Sequence, residues 1–202
     1  MLAAFLVGAL AIVLVVRWNR EAHAATGQGE EAAAPAIPDP NDPENLLYLD
    51  LECGRVVIWM RPDKAPHHVE RIKTLARQGF YDGVIFHRVI NGFMAQTGDP
   101  TGTGRGASPL PDLKAEFNDL PHMRGTVSMA RGTAPDSANS QFFIMFSRVP
   151  SLDGRYTVWG RVIRGMECVD QIARGEPPAN PTKILRVRVA ADVEKEATKG
   201  ST

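Results

Sequence analysis

The chain has 202 residues, 44% hydrophobic and 23% charged, which suits one domain of ordinary size with tails. Lys plus Arg and Asp plus Glu number 23 each, so the formal net charge is zero and nothing calls for a nucleic-acid partner or an acidic substrate. Two cysteines, Cys53 and Cys168, are too few for a disulfide framework or a zinc site and are expected as unpaired thiols.

The chain opens on a charge-free run, "LAAFLVGALAIVLVV" (Leu2 to Val16), followed at once by Arg17 and Arg20. A bilayer span needs about 20 apolar residues, so this run is short for a span and close to the apolar region of a signal peptide. Residues 1–20 are expected as a hydrophobic helix serving as signal or anchor, with "AHA" (Ala22 to Ala24) as a candidate cleavage site. That expectation puts the domain in the periplasm, exported or held at the inner membrane. The two arginines after the run favour a cytoplasmic domain instead, so orientation stays open. Residues 21–45 are rich in Ala, Pro, Gly and acid, with little to bury, and are expected as a disordered linker. A folded domain is expected over 46–193 and a polar tail over 194–202.

Within the domain, "LLYLDLE" and "RVVIWMR" flank Cys53-Gly54 as a hairpin. The stretch from Asp63 to Gln78 reads as a helix, with Pro66 in the first turn, Val69, Ile72 and Ala76 in one stripe, and Gly79 at its end. Six short segments rich in β-branched and aromatic residues follow: "GVIFHRV", "GFMAQTG", "GTVSMA", "SQFFIMF", "YTVWGRVI" and "KILRVRVA". A second short helix, "MECVDQIA", ends before Gly175. Many short strands, two helices and Gly/Pro turns predict a mainly β fold, a closed antiparallel barrel.

Several chemistries find no support. His67 and His68 are adjacent in a helical turn, His23 and His122 stand alone, and none has a partner at metal-ligand spacing. "GTGRG" (Gly102 to Gly106) lacks the Gly-Lys-Ser/Thr of a phosphate loop and reads as a glycine turn. No nucleophile elbow occurs. No metal and no cofactor are expected. What stands out is Arg88 between apolar neighbours, with Gln96 and Gln141 beside phenylalanines. Aromatic surface with a few placed polar groups is the general form of a ligand pocket.

The segments "FHRVINGFMAQTGDPTGTG", "RGTVSMAR", "ANSQFFI" and "LDGRYTVWGRVIRGMECVDQI" resemble the cyclophilin family of peptidyl-prolyl cis-trans isomerases, over Leu46 to about Val189. The resemblance implies an eight-stranded antiparallel barrel capped by two helices, acting on proline-containing polypeptides and assisting their folding. It assigns Arg88 as the catalytic residue, aimed at the amide nitrogen as the X–Pro bond twists. Phe93, Met94, Phe143 and Leu152 become the proline pocket, and Gln96 the glutamine that orients the arginine. Ala130 and Arg131 hold the substrate backbone through main-chain groups. Gln141 and Tyr156 line the site, and His87 is structural. A domain of this kind is expected to be monomeric. Ser151 stands where many eukaryotic members have a tryptophan, so cyclosporin binding is expected to be weak. The competing reading is a catalytically weak chaperone module that holds proline segments without turning them.

Overall fold

The computed structural model describes residues 36–200. The hydrophobic segment, most of the linker and the last two residues lie outside them. Eight strands follow in chain order: β1 (Leu46–Leu51), β2 (Gly54–Met60), β3 (Arg88–Ile90), β4 (Met94–Thr97), β5 (Thr126–Met129), β6 (Phe142–Met145), β7 (Val158–Arg164) and β8 (Arg186–Val189). All are antiparallel in one sheet of order β3-β4-β6-β5-β7-β2-β1-β8. The expected hairpin forms, with Leu51 opposite Gly54 and Glu52-Cys53 as its loop.

The sheet is curled but not fully closed, which corrects the expected closed barrel. The edge strands β3 and β8 do not pair. An irregular segment bridges them through Val89 opposite Gly175 and Ile85 opposite Lys183. The physical reason lies in "GEPPANP": Pro177, Pro178 and Pro181 have no N–H to donate, so this stretch cannot form a ladder strand.

Helix α1 (Pro66–Arg77) begins at Pro66, three residues later than the expected start at Asp63, and buries His68, Val69, Ile72, Leu75 and Ala76. Gly79 follows it at φ +68°, a left-handed position that suits glycine. Its first turn is capped from far along the chain. The Glu116 carboxylate accepts from the backbone N–H groups of His67 and His68 at 3.2 and 3.1 Å. Helix α2 (Met166–Val169) is short. A third helix, α3 (Ala190–Lys199), occupies much of the expected polar tail. It buries Ala190 and Ala191, and its Asp192 pairs with Arg77 of α1 at 2.9 Å. That contact between distant residues was invisible to a reading of local polarity.

The cysteines are not free thiols. Cys53 in the β1–β2 loop is disulfide-bonded to Cys168 of α2. They lie 115 residues apart in sequence, so only the fold brings them together.

Side chains alternate across the sheet. On β3, β4 and β6, Val89, Ala95, Phe142 and Ile144 enter the main core, which also holds Trp159, Leu47, Ile58 and Ile72. The opposite parity faces outward and builds a second, smaller apolar cluster of Met94, Phe143 and Met145. Ile90, Phe93, Ala130, Leu152 and Tyr156 pack against it. That outer cluster is where the site forms.

Candidate functional site

The strand register sets one row across four strands. Arg88 lies opposite Gln96, Gln96 opposite Phe143, and Phe143 opposite Ser128. Directly opposed side chains in antiparallel strands lie about 4.5–5.5 Å apart, so the row is a single surface. Arg88 is on the outer face, with its side chain 42% exposed, at the lip of the pocket. Nine expected residues meet at one pocket of about 150 Å³: Arg88, Phe93, Met94, Gln96, Ala130, Arg131, Phe143, Leu152 and Tyr156. Gln141 is the exception. It lines the neighbouring groove, which shares Gln96, Ala130 and Arg131 with the pocket.

The floor is aromatic. The Phe143 and Tyr156 rings meet edge to face at 5.6 Å. Beneath them lies His122, fully buried and stacked on Phe143 at 6.1 Å. Its Nδ1 is 3.0 Å from Asp153 Oδ1 and its Nε2 is 3.2 Å from Ser128 Oγ. Burial pushes this imidazole below its usual value and outweighs the pull of Asp153. The spacing imitates a hydrolytic triad, but Ser128 is fully buried and its hydroxyl bonds the Thr157 carbonyl, so no substrate reaches it. These three residues support the floor. Sequence reasoning passed over them because their separation in the chain hides the contact.

Two expected polar contacts differ. Gln96 does not bond Arg88; its Nε2 donates to Gln141 Oε1 at 2.9 Å, and Gln141 Nε2 donates to the Gly104 and Gly106 carbonyls. Arg88 Nε donates instead to Glu176 Oε2 at 2.7 Å. Sequence reading missed Glu176, and no motif marks it. Arg131 contributes more than main chain: its guanidinium lies 4.8 Å from the Tyr156 ring centre and donates to the Arg155 carbonyl. The Ala130 N–H is engaged by the Gln141 carbonyl at 2.9 Å. His87 is buried beside Arg88, as a structural residue would be, and burial keeps it below the usual imidazole value. No cluster of three or more His, Cys, Asp or Glu suited to a metal occurs among the described residues.

An outward-facing apolar cup with an arginine at its lip, on an eight-stranded antiparallel sheet, defines a protein with a small ligand-sized pocket bordered by one cation. The comparisons agree on which one. The family model "Cyclophilin type peptidyl-prolyl cis-trans isomerase/CLD" matches residues 47–189. A probable peptidyl-prolyl cis-trans isomerase of Brucella suis is 50% identical over 169 residues, covering 76% of this chain and 86% of that one. The peptidyl-prolyl cis-trans isomerase-like 1 protein of Aspergillus oryzae is 40% identical, covering 74% and 98%. Among solved structures, a cyclophilin from Hirschia baltica aligns with TM-score 0.69 at 30% identity, covering 75% of this chain and 76% of that one. A cyclophilin-type isomerase of Cryptosporidium parvum, crystallised in the presence of the dipeptide Ala-Pro, aligns with TM-score 0.67 at 28% identity, covering 71% and 98%. The chain belongs to the cyclophilin-type peptidyl-prolyl cis-trans isomerase family.

Proposed function

We propose that this chain accelerates rotation about X–Pro bonds in polypeptides, with Arg88 as its catalytic residue. The observation that carries this reading is the convergence of Arg88 with Phe93, Met94, Phe143 and Leu152 at one small pocket. The barrier is about 18–20 kcal/mol, set by amide resonance, and the uncatalysed event takes tens to hundreds of seconds. No covalent bond breaks, so neither nucleophile nor metal is required. As the amide twists, its nitrogen becomes pyramidal and basic. A donor aimed there stabilises the twisted form more than the planar one, which lowers the barrier. The apolar cup holds the proline ring while the carbonyl side turns. Arg131 and Gln141, with the Ala130 backbone, line the path of the flanking chain. Arginine suits the role because it stays charged and offers several donors in a rigid fork.

Arg88→Ala is expected to lower kcat/KM about 10²–10³-fold, as for the loss of one preorganised donor. Folding is retained, because the side chain is half exposed. A protease-coupled assay on a proline peptide measures it, and a variant as fast as wild type removes Arg88 from the mechanism. The competing chaperone reading has no use for Arg88.

The same proposal covers place and partners. The domain works as a monomer on proline-containing chains, outside the cytoplasm, joined by a linker to the hydrophobic segment of residues 1–20. The Cys53–Cys168 disulfide supports an oxidising compartment, because such bonds are rare where thiols are kept reduced. No helix among the described residues is long and apolar enough to cross a membrane, so any anchoring rests on the first twenty. Ser151, exposed and adjacent in the chain to the pocket residue Leu152, supports weak cyclosporin binding.

A further inference from the structure

Arg88 borders two hollows. One is the proline pocket. The other is a cleft of about 500 Å³ that shares Arg88 and Gln96 with it and is otherwise bounded by His87, Gly102, Thr103, Gly104, Glu176 and Pro177. Glu176 is the only acidic residue in either lining.

The backbone holds Glu176 at this place. Gly175 N–H donates to the Val89 carbonyl at 2.9 Å, and Val89 N–H donates to the Gly175 carbonyl at 2.8 Å. The residue just before Glu176 is thereby pinned to the residue just after Arg88. Gly175 is held at φ +146°, and a Cβ there would come within 2.5 Å of Pro178 Cα, so glycine is required for the chain to close on β3. The outcome is a single contact, Arg88 Nε to Glu176 Oε2 at 2.7 Å. Among the described residues, Nη1 and Nη2 of Arg88 have no hydrogen-bond partner.

Both side chains are substantially exposed, at 42% and 51%. Ion pairs of that exposure add little to stability, so the contact is not needed to hold the fold together. Its effect falls on direction. A long flexible arginine must present its fork to one atom of the substrate, and Gln96 does not bind it. An acceptor on Nε fixes the guanidinium from the stem side and leaves the Nη groups free. Placement errors of about 1 Å at such a donor cost up to about a hundredfold in rate.

We propose that Glu176 is a positioning residue for the isomerisation step: its carboxylate holds the Arg88 guanidinium by Nε so that the Nη groups face the proline pocket. This rests on the reading of Arg88 as the catalytic residue. A carboxylate also dampens the arginine's field, so charge and acceptor act in opposite directions and can be separated. Glu176→Ala removes both. Glu176→Gln keeps an oxygen acceptor and removes the charge.

The test measures kcat and KM separately on an Ala-Pro peptide for wild type, Arg88→Ala, Glu176→Ala and Glu176→Gln, with a thermal midpoint for each. Glu176→Ala is expected to lower kcat about tenfold with KM within about twofold and the midpoint unmoved. Glu176→Gln is expected to recover most of that loss. An alanine variant at or above the wild-type kcat, beside a crippled Arg88→Ala, overturns the positioning role and leaves the site intact. Equal losses in the alanine and glutamine variants show that an oxygen acceptor at this place does not restore the rate, and also overturn it. If Arg88→Ala itself runs at the wild-type rate, both readings fall.

Discussion

Three buried imidazoles show how single residues respond to their surroundings here. His68, His87 and His122 are at most 5% exposed, and burial lowers each below the ordinary imidazole value of 6.5. His68 keeps this direction although Glu116 sits 2.6 Å from its Nδ1. A lowered imidazole binds fewer protons in the folded state than in the unfolded chain. Stability is therefore complete above pH 6.5 and is lost as pH falls below it. A second loss comes at lower pH. Burial opposes ionisation of Asp99, but the Thr101 hydroxyl and the backbone N–H groups of Gly106, Thr101 and Gly104 outweigh it and hold the carboxyl at about 2. Thermal midpoints are expected to fall between pH 7 and 5, and His68→Gln should flatten that slope. A midpoint constant over this interval contradicts the assignment of neutral buried rings.

Among the elements, the link between the β1–β2 hairpin and α2 is covalent. Cys53 is exposed in its loop and Cys168 is buried, and the loop they close is 115 residues in sequence separation. Closing so long a loop removes much of the freedom of the unfolded chain. The double variant Cys53→Ser, Cys168→Ser is expected to lose about 2–4 kcal/mol of stability. Its kcat is expected to stay unchanged, because neither cysteine touches the pocket. Denaturant unfolding of the oxidised protein beside this variant measures the difference. Equal midpoints show that the bond adds nothing. Helix α2 is only one turn long; packing of Met166 and Val169 on the core and the Cys53–Cys168 bond, rather than helix propensity, hold it.

At the scale of the whole molecule the proposal concerns place. The proposal of an extracytoplasmic domain unites the apolar run at Leu2 to Val16 with the disulfide of the folded domain; Arg17 and Arg20 weigh against it. A reporter fused after Thr202 separates the two. Alkaline phosphatase active there is the expected result. A bright fluorescent protein with inactive phosphatase places the domain in the cytoplasm and ends the proposal.

The sequence by itself determined most of the strand segments, the existence of helix α1, whose start it placed three residues early at Asp63, and nine residues that share one pocket. These are local or motif properties: alternation of period two, β-branched content, and long family-ordered segments such as "FHRVINGFMAQTGDP". It also overreached in predictable places. The segment "GVIFHRV" was expected as a strand, yet β3 is only Arg88–Ile90, with Arg88 turned outward while Val89 turns in. The barrel was expected closed, and the prolines after Glu176 keep β3 and β8 apart. Tertiary structure alone decided the Cys53–Cys168 bond, the Glu116 cap on α1, the His122–Asp153–Ser128 support under Phe143, and the pairing of Arg88 with Glu176. Each joins residues between 6 and 115 positions apart. Such contacts leave no periodic trace, because they arise only when the sheet has curled and brought separate segments to the same face.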